Sequence, residues 1–350
     1  QLVDQVVSAV NIDAHCELIK DKWRRREWIA IARRMTLQGY DLATPWTQVV
    51  SEGEAQLYQF LTTEQSQKGI QHISEYCHRE MDRIAEAEAG GQIVKALSTG
   101  FWDLDALTHG APEEELIIIA GRPAMGKTSF VLRLARNVAA HRPVAVFSLE
   151  MSGDRLARRL WSAESRITPG HLAQSPNLRE PAIAGIGQVA GMNIWIGEFN
   201  TEIEAICTNA RRLAAEQGQL GAIAIDYLGL IDLPAAGNEA SALGKITRRM
   251  KLLAVELKTT IFLLHQLSRA PESRTNKRPQ LSDLRDSGKI EQDADQVLFM
   301  YRDEYYHPDT PDRGIAEIIV AKNRNGPIGT VKLLFEPQFT DFKNVARWSG

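Results

Sequence analysis

Short apolar runs alternate with segments of helical periodicity over the second part of the chain. The runs occupy residues 116–120, 144–150, 223–228, 260–266 and 296–302. Continuous apolar runs are typical of strands buried on both faces, and helices between them are typical of the crossovers of a parallel sheet. Residues 315–337 form two apolar stretches around an Asn-Gly pair, which indicates an antiparallel hairpin. The pattern therefore predicts an α/β fold with a mainly parallel sheet and a C-terminal β-hairpin.

Helical periodicity without strand-like runs characterises the part of the chain that precedes residue 97. It predicts helices over residues 13–40, 44–61 and 67–91, and Gly39 is a plausible C-cap of the first. We therefore predict a partial all-α domain at 1–64, a linker helix at 65–96 and an α/β domain at 97–350. The linker helix has one apolar face, which fits either a simple spacer or a helix that docks on another surface.

Charge and cysteine content narrow the class of protein. The 350 residues include 41 Lys and Arg against 44 Asp and Glu, so the net charge is −3 and any nucleic-acid surface must be local. Cys16, Cys77 and Cys207 form no C-x-x-C pair, which argues against a disulfide framework or a zinc site and favours the reducing cytoplasm.

The sequence contains neither a run long enough to span a membrane nor a signal-peptide pattern. Because Gln1 begins in mid-pattern, we expect further residues to precede it.

Residues 121–128 read GRPAMGKT and match the phosphate-loop pattern G-x-x-x-x-G-K-[ST]. The loop follows the apolar run 116–120 and precedes a helical segment, which is the context that this motif requires. Its N–H groups and the helix N-terminus favour phosphate, Lys127 should reach the β- and γ-phosphates, and the Thr128 hydroxyl should bind Mg²⁺. The sequence therefore predicts an ATP and Mg²⁺ site that includes Ala124, Gly126 and Ser129.

Three polar residues end other predicted strands and are expected at the same edge of the sheet. Asp226 is a second Mg²⁺ ligand on this interpretation, although a strand-terminal Asp can also cap a helix. Glu150 could orient the attacking water, or could simply be an acid favoured at a helix N-terminus. Gln266 could sense the γ-phosphate and relay its presence to residues 267–283, a polar and basic segment that we expect to be a mobile loop; alternatively it is only a polar strand end.

Lys322 and Arg324 stand two residues apart near the tip of the predicted hairpin. Side chains at this spacing point to the same face of a strand, so the two cations are expected side by side. Their spacing alone is equally compatible with a solvated basic tip.

Seven segments resemble, in order, the successive motifs of the replicative DnaB-type helicases. These are LSTGFWDLDALTHG, GRPAMGKTSF, VFSLEMS, IDYL, HQLSR, KRPQLSDLRDSGKIEQDAD and AKNRNGPIGT. The resemblance covers about residues 97–343, and the helical part before it resembles the second half of that family's N-terminal domain plus its linker helix. The phosphate loop is shared by many NTPases, whereas SDLRDSGKIEQDAD and AKNRNGPIGT are much more specific.

The resemblance implies a RecA-like core that assembles into a hexameric ring around single-stranded DNA and is driven by ATP, with 5′→3′ polarity. It implies that Lys322 and Arg324 act at the γ-phosphate held by a neighbouring subunit, that Asn323 is a nucleotide-binding residue in the same segment, and that Arg159 contacts nucleotide phosphate. It also implies that Arg285, Asp286 and Gly288 contact DNA, although an ordinary surface loop and a helix-face arginine remain alternatives. A primase and a helicase loader are the implied protein partners.

Several positions depart from the family pattern. Asp286 replaces a usual Glu, Gly229 often a Gln, and His265 a small polar residue, while acids at 113–115 replace a glycine-containing turn. These changes could alter coupling to DNA or mark a plasmid, phage or divergent bacterial relative. Two other functions remain open at this point: a RecA-like recombinase, and a non-catalytic ring or loading module that binds ATP only to assemble.

Overall fold

A computed structural model describes residues 12–41, 43–66, 72–88, 96–168, 170–171, 179–198, 201–232 and 239–346. The chain divides into two compact units, Gln1–Ile93 and Val94–Gly350. Among the described residues, no helix combines the length and the apolar character needed to cross a bilayer.

The described residues of the first unit form three helices: α1 (Ile12–Tyr40), α2 (Trp46–Ser66) and α3 (Ile73–Glu88). The Trp28 and Phe60 rings of α1 and α2 lie 5.8 Å apart, and Gln38 donates a 2.9 Å hydrogen bond to Glu52. The helical predictions for 13–40 and 44–61 are confirmed. The predicted ends of the third helix, at 67–71 and 89–91, lie outside the described residues, and the boundary between an all-α domain and a linker stays a prediction.

The second unit is an α/β structure. Its strands are β1 (Ala96–Leu97), β2 (Ala111–Pro112), β3 (Leu116–Gly121), β4 (Val144–Ser148), β5 (Ile194–Glu198), β6 (Ala222–Asp226), β7 (Thr260–Gln266), β8 (Gln296–Tyr301), β9 (Ile315–Asn323), β10 (Gly329–Glu336) and β11 (Asp341–Asn344). Its helices are α4 (Trp102–Thr108), α5 (Lys127–Ala139), α6 (Gly153–Ser165), α7 (Arg179–Ala190), α8 (Ile203–Gln217), α9 (Glu239–Leu257), α10 (Gly288–Asp293) and α11 (Asp303–Tyr306). Short 3₁₀ turns lie at 228–230, 270–273 and 281–287.

One large sheet organises this unit, with strand order β11-β10-β9-β8-β3-β7-β6-β4-β5. The six strands from β8 to β5 in this order are mutually parallel, and β9, β10 and β11 continue the sheet in antiparallel fashion. The predicted parallel sheet and C-terminal hairpin are therefore confirmed. The sequence pattern did not reveal β5, whose residues are only partly buried at the edge of the sheet.

Apolar side chains cover both faces of the parallel strands. On the face that packs against α5, Phe130 and Phe262 join a buried cluster, and on the other face Met250 and Leu263 belong to a second one. Every residue of β3 is buried, as expected for a central strand covered on both sides.

The acids at 113–115 occupy a tight turn before β3. Glu114 has a φ of 66°, the left-handed conformation that glycine adopts most easily, and its N–H donates to Thr259. Glu113 pairs with Arg142 at 2.7 Å. Glu114 therefore adopts the conformation that a glycine would favour, and the neighbouring Glu113 forms a local ion pair.

Residues 267–283 form more defined contacts than their composition suggests. Arg122 pairs with Glu272 at 2.8 Å, and Arg274 pairs with Asp283 at 2.6 Å. Arg278 forms a bidentate ion pair with the Glu317 carboxylate. The basic character of this segment is thus partly used in local ion pairs, while its mobility stays a prediction.

Phe342 connects the last strand to the interior. It is fully buried, and its ring centroid lies 5.4 Å from that of Phe130 and 4.6 Å from that of Phe335. Removing a large buried ring leaves a cavity that the surrounding residues fill only in part.

We predict that Phe342→Ala lowers the free energy of unfolding by about 3–5 kcal/mol. Chemical denaturation followed by circular dichroism measures this loss. Ile328→Ala is the control, because Ile328 is 65% exposed and its loss should change stability by no more than about 0.5 kcal/mol. Equal effects of the two substitutions would contradict the packing described.

Candidate nucleotide-binding site

Residues 121–128 connect β3 to α5 and form a tight loop. Two residues of the loop are left-handed, Ala124 with a φ of 63° and Gly126 with a φ of 93°. A Cβ atom on Gly126 would lie 3.1 Å from the Phe342 ring and 3.4 Å from the Phe335 ring. Both the backbone conformation and the close packing therefore favour glycine at position 126. Because α5 begins at Lys127, the unpaired N–H groups of its first turn border the loop.

The Lys127 ammonium folds back over this loop. Its Nζ donates to the carbonyl oxygens of Gly121 and Arg122, at 2.8 and 3.1 Å. Burial lowers the pKa of Lys127 to about 8, although the nearby Asp226 and Glu150 carboxylates oppose the change. A largely desolvated cation next to the unpaired N–H groups of the first turn of α5 is suited to an anionic ligand.

Thr128 and Asp226 meet although they are 98 residues apart in sequence. The Thr128 hydroxyl donates to a carboxylate oxygen of Asp226 at 2.6 Å. Asp226 ends β6 and is 4% exposed, and burial raises the pKa of its carboxyl while the Thr128 hydrogen bond opposes the rise. Hydroxyl and carboxylate oxygens are the ligands that Mg²⁺ prefers, so the pair fits such an ion.

Glu150 follows β4 closely and is exposed. Within the described residues, its carboxylate makes no hydrogen bond or ion pair. It is nonetheless near enough to affect three pKa values. Its charge opposes the lowering that burial causes at Lys127 and Arg159, and it adds to the rise at Asp226. The Leu149 N–H donates to the Asp226 carbonyl at 2.8 Å and fixes the chain just before Glu150. The carboxylate thus lies beside the loop while its oxygens remain available.

Arg159 lies on α6 near the same carboxylates. Burial lowers the pKa of its guanidinium, and Asp226 and Glu150 oppose the change. Arg159 forms no hydrogen bond or ion pair with any residue that the structure describes. Ser129, next to Thr128 on α5, is buried.

β7 places Gln266 and His265 beside the phosphate loop. Gln266 is paired in register with Gly121, and His265 with Ala120. Burial, with a further contribution from Lys127, lowers the pKa of His265 to about 4, so its imidazole is neutral at pH 7. Its buried Nδ1 has no hydrogen-bond partner among the described residues.

Gly229 is explained by its surroundings. A Cβ atom there would lie 2.8 Å from the Tyr227 ring, so a larger residue would require that ring to move.

Lys322 and Arg324 lie at the opposite end of the parallel strands, near the amino ends of β3 and β8. Lys322 pairs in register with Val297 near the start of β8, and the start of β8 is in register with the start of β3. The phosphate loop follows the end of β3, and this strand of six residues is roughly 15–20 Å long. The structure therefore does not bring these cations together with the Lys127 of the same chain.

Backbone carbonyls at the end of α10 hold the two cations side by side. Lys322 donates to the carbonyl of Ala294 at 2.6 Å and to that of Glu291. Arg324 donates to the carbonyl of Gln292 at 2.8 Å. Asn323 points elsewhere, because its side chain donates to the carbonyls of Leu107 and Pro327. The predicted pairing of Lys322 and Arg324 on one face is thus present, without Asn323.

The predicted DNA-contacting residues lie in the 3₁₀ turn at 281–287 and at the start of α10. The side chains of Arg285 and Asp286 lie outside the described residues. Gly288 has a φ of −50°, and a Cβ atom on it would meet no other atom within 4 Å. The fold itself therefore does not require glycine at this position.

Known proteins resemble this chain over most of its length. The family described as DnaB-like helicase C terminal domain matches residues 96–344. The replicative DNA helicase DnaB of Haemophilus influenzae is 36% identical over 366 residues, which span 99% of this chain and 77% of that protein. The replicative DNA helicase DnaC of Bacillus subtilis is 36% identical over 99% of this chain and 78% of its own length.

Solved structures show the same relationship. A structure described as an ATPase domain superposes with a TM-score of 0.74 at 32% identity, over 79% of this chain and all of that domain. A DnaB-like replicative helicase, described together with its interactions with primase, superposes with a TM-score of 0.79 at 29% identity. The superposition covers 97% of this chain and 81% of the helicase chain in that structure.

These relatives are helicases rather than recombinases, and one of the matching structures is an ATPase domain. The phosphate loop, the strand-end carboxylates and the paired cations lie on a fold that the relatives share. The chain belongs to the DnaB-type replicative DNA helicases, and it is an ATP-hydrolysing helicase with a RecA-like motor domain.

Proposed function

We propose that six copies form a ring around single-stranded DNA and hydrolyse ATP at the seams between neighbouring subunits. The main support for this proposal is that the charged groups lie at opposite ends of the parallel strands of one sheet. The phosphate loop follows the carboxyl end of β3, whereas Lys322 and Arg324 lie beside its amino end. A repeated contact between unlike ends is heterologous, and such contacts form a ring when the rotation between successive subunits closes.

Within one subunit, the phosphate loop grips the nucleotide. Ala124, Gly126 and Ser129 contribute the loop and first-turn backbone, and Lys127 contributes its ammonium to the β- and γ-phosphates. Thr128 and Asp226 would hold Mg²⁺, which neutralises phosphate charge when it is bound. The 2.6 Å contact between their oxygens supports this assignment.

Other residues at the same edge serve the γ-phosphate. Glu150 orients the attacking water with a carboxylate that is not engaged by its described neighbours. Arg159 contacts a nucleotide phosphate, and its lack of a hydrogen-bonding partner among the described residues supports that role. Gln266 reports the presence of the γ-phosphate from its position opposite Gly121.

The neighbouring subunit completes the site. Its Arg324 stabilises the charge that develops during phosphoryl transfer, assisted by Lys322, and Asn323 lies in the same segment. An arginine supplied in this way makes hydrolysis depend on assembly. Neither cation can serve its own loop, because roughly 15–20 Å of strand separates them.

Single-stranded DNA is held through its backbone. Arg285 neutralises a phosphate, Gly288 lets the strand approach closely, and Asp286 belongs to the same contacting segment. The open space at Gly288 is compatible with such an approach. Because the net charge of the chain is −3, binding depends on this local surface, is largely independent of base sequence and weakens with added salt.

The ring moves with 5′→3′ polarity and unwinds duplex DNA in the cytoplasm of a bacterium, or under phage or plasmid control. A primase and a helicase loader are its expected protein partners. One structural relative is described with its primase interactions, which supports the first of these.

We predict that Glu150→Gln lowers the rate of ATP hydrolysis by about 10²–10⁴-fold while nucleotide affinity is retained, because the amide cannot accept a proton from water. Steady-state ATPase assays with and without single-stranded DNA, and titration with a fluorescent nucleotide, measure the two effects. Asp154→Asn is the control, since it removes an exposed acid nearby on α6. Unchanged turnover in Glu150→Gln would remove this residue from the mechanism.

We predict that mixed rings of Lys127→Ala and Arg324→Ala recover turnover above either parent. Some seams then join an intact loop to an intact arginine, roughly a quarter of them in an equal and random mixture. ATPase activity across a series of mixing ratios tests this. If the two proteins demonstrably assemble together and no ratio exceeds the parents, the shared seam is wrong.

We predict that Arg285→Ala weakens binding to single-stranded DNA and reduces the slope of log affinity against log salt by about one. Fluorescence anisotropy at several salt concentrations measures both. Arg212→Ala is the matched control, because Arg212 is an exposed arginine on α8, 70% accessible at its side chain. Equal slopes for the two variants would argue against a phosphate contact by Arg285.

A further inference from the structure

The carboxylate of Asp295 lies between three elements at the amino edge of the sheet. One of its oxygens accepts from the Leu116 N–H at 2.8 Å and from the Lys251 ammonium at 2.6 Å. The other oxygen accepts from the Arg324 guanidinium at 3.2 Å. The side chain of Asp295 is 5% exposed, so the first two contacts fix it firmly to β3 and α9.

Arg324 differs from its partner in exposure. Its side chain is 50% exposed, so one end of the ion pair is fixed in the interior while the other faces outwards. The Arg324 backbone N–H also donates to the Asp295 carbonyl at 3.0 Å. Residue 324 is therefore attached to residue 295 through both its backbone and its side chain.

The remaining donors of the guanidinium are arranged by these contacts. Nη1 donates to Asp295 and Nη2 to the Gln292 carbonyl. A guanidinium has five N–H donors in a rigid plane, so fixing two of them orients the other three. A long side chain that would otherwise sample many rotamers is thereby held in one direction at the surface of the amino edge.

We propose that Asp295 is a positioning residue for hydrolysis at the neighbouring subunit's site: it holds Arg324 in the direction from which the guanidinium reaches the neighbour's γ-phosphate. This inference rests on the proposed function. Asp295 does not touch the nucleotide of its own subunit, since it contacts β3 at Leu116 and the phosphate loop begins at the other end of that strand. Its effect on catalysis is therefore exerted across the seam.

The expected consequence of Asp295→Asn is a lower kcat with little change in KM. Misplacing a catalytic group by about 1 Å can reduce the rate by about 10²-fold, so we expect a loss of about 10- to 10²-fold, smaller than that of Arg324→Ala. KM should stay within about threefold, because the loop that binds the nucleotide is intact.

Complementation in mixed rings separates positioning across the seam from a defect in the variant's own site. Asp295→Asn keeps an intact phosphate loop, so it should recover turnover when mixed with Lys127→Ala, which supplies an intact Asp295 and Arg324. It should recover nothing when mixed with Arg324→Ala, because both variants fail on the same side of the seam. Recovery with Arg324→Ala would overturn the proposal.

Lys251→Gln is the matched control for a purely structural role. Lys251 forms the other ion pair of the same carboxylate and also donates to the Glu114 carbonyl, but it makes no described contact with Arg324. Lys251→Gln should therefore lower the melting temperature. Because the Leu116 N–H still holds the Asp295 carboxylate, kcat should stay within about twofold of the parent. If Lys251→Gln lowers kcat as much as Asp295→Asn does, the proposal is overturned in favour of a structural role.

A double variant keeps the test possible if Asp295→Asn fails to fold because Lys251 loses its partner. Asp295→Asn combined with Lys251→Met removes both charges of the interior pair, which avoids an unpaired cation. This variant should show the same complementation behaviour as Asp295→Asn. The pair Lys127→Ala and Arg324→Ala is run in parallel: if that pair fails, the shared seam itself is wrong, whereas if it succeeds and Asp295→Asn complements Arg324→Ala, only the role of Asp295 is wrong.

Discussion

The length of the central parallel strands is the constraint on which the chemistry of this protein depends. Parallel strands present all their carboxyl ends at one edge, and β3, β4, β6 and β7 accordingly deliver the phosphate loop, Glu150, Asp226 and Gln266 to a single place. The antiparallel addition of β9 returns the chain to the other edge and leaves Lys322 and Arg324 there. A rigid, fully buried β3 fixes the distance between the two groups, so flexibility of a side chain cannot bridge it.

Burial dominates the electrostatics of the groups at the carboxyl ends of the parallel strands. Burial is the largest influence on Lys127, Arg159, His265 and Asp226, and in each case it shifts the pKa towards the neutral form. Opposite charges nearby offset part of this effect at Lys127, Arg159 and Asp226, whereas the Lys127 charge adds to it at His265. A region that already contains partly desolvated cations and oxygen ligands is well suited to a polyanion with its counterion.

Much of the fold and part of the site could be predicted from local patterns. The five apolar runs became β3, β4, β6, β7 and β8, because strands buried on both faces need continuous apolar residues. The edge strand β5 escaped, since its residues are only partly buried and show no such run. Thr128 and Asp226 were predicted from motif and strand position, and the structure brings them together. The partners of Arg324 could not be predicted, because two of its contacts are backbone carbonyls and the third, Asp295, looks like an ordinary acid before a strand. The roles of Lys127, Glu150, Arg285 and the other named residues stay predictions.

The aromatic support beneath Gly126 has a consequence for how the protein is made. Phe335 and Phe342, which pack against the phosphate loop, belong to β10 and β11, the last two strands that the structure describes. A ribosome synthesises the loop more than two hundred residues before it reaches them. During translation the phosphate loop therefore emerges before the aromatic side chains that pack beneath it. The loop can adopt the packing described here only after the C-terminal strands have emerged.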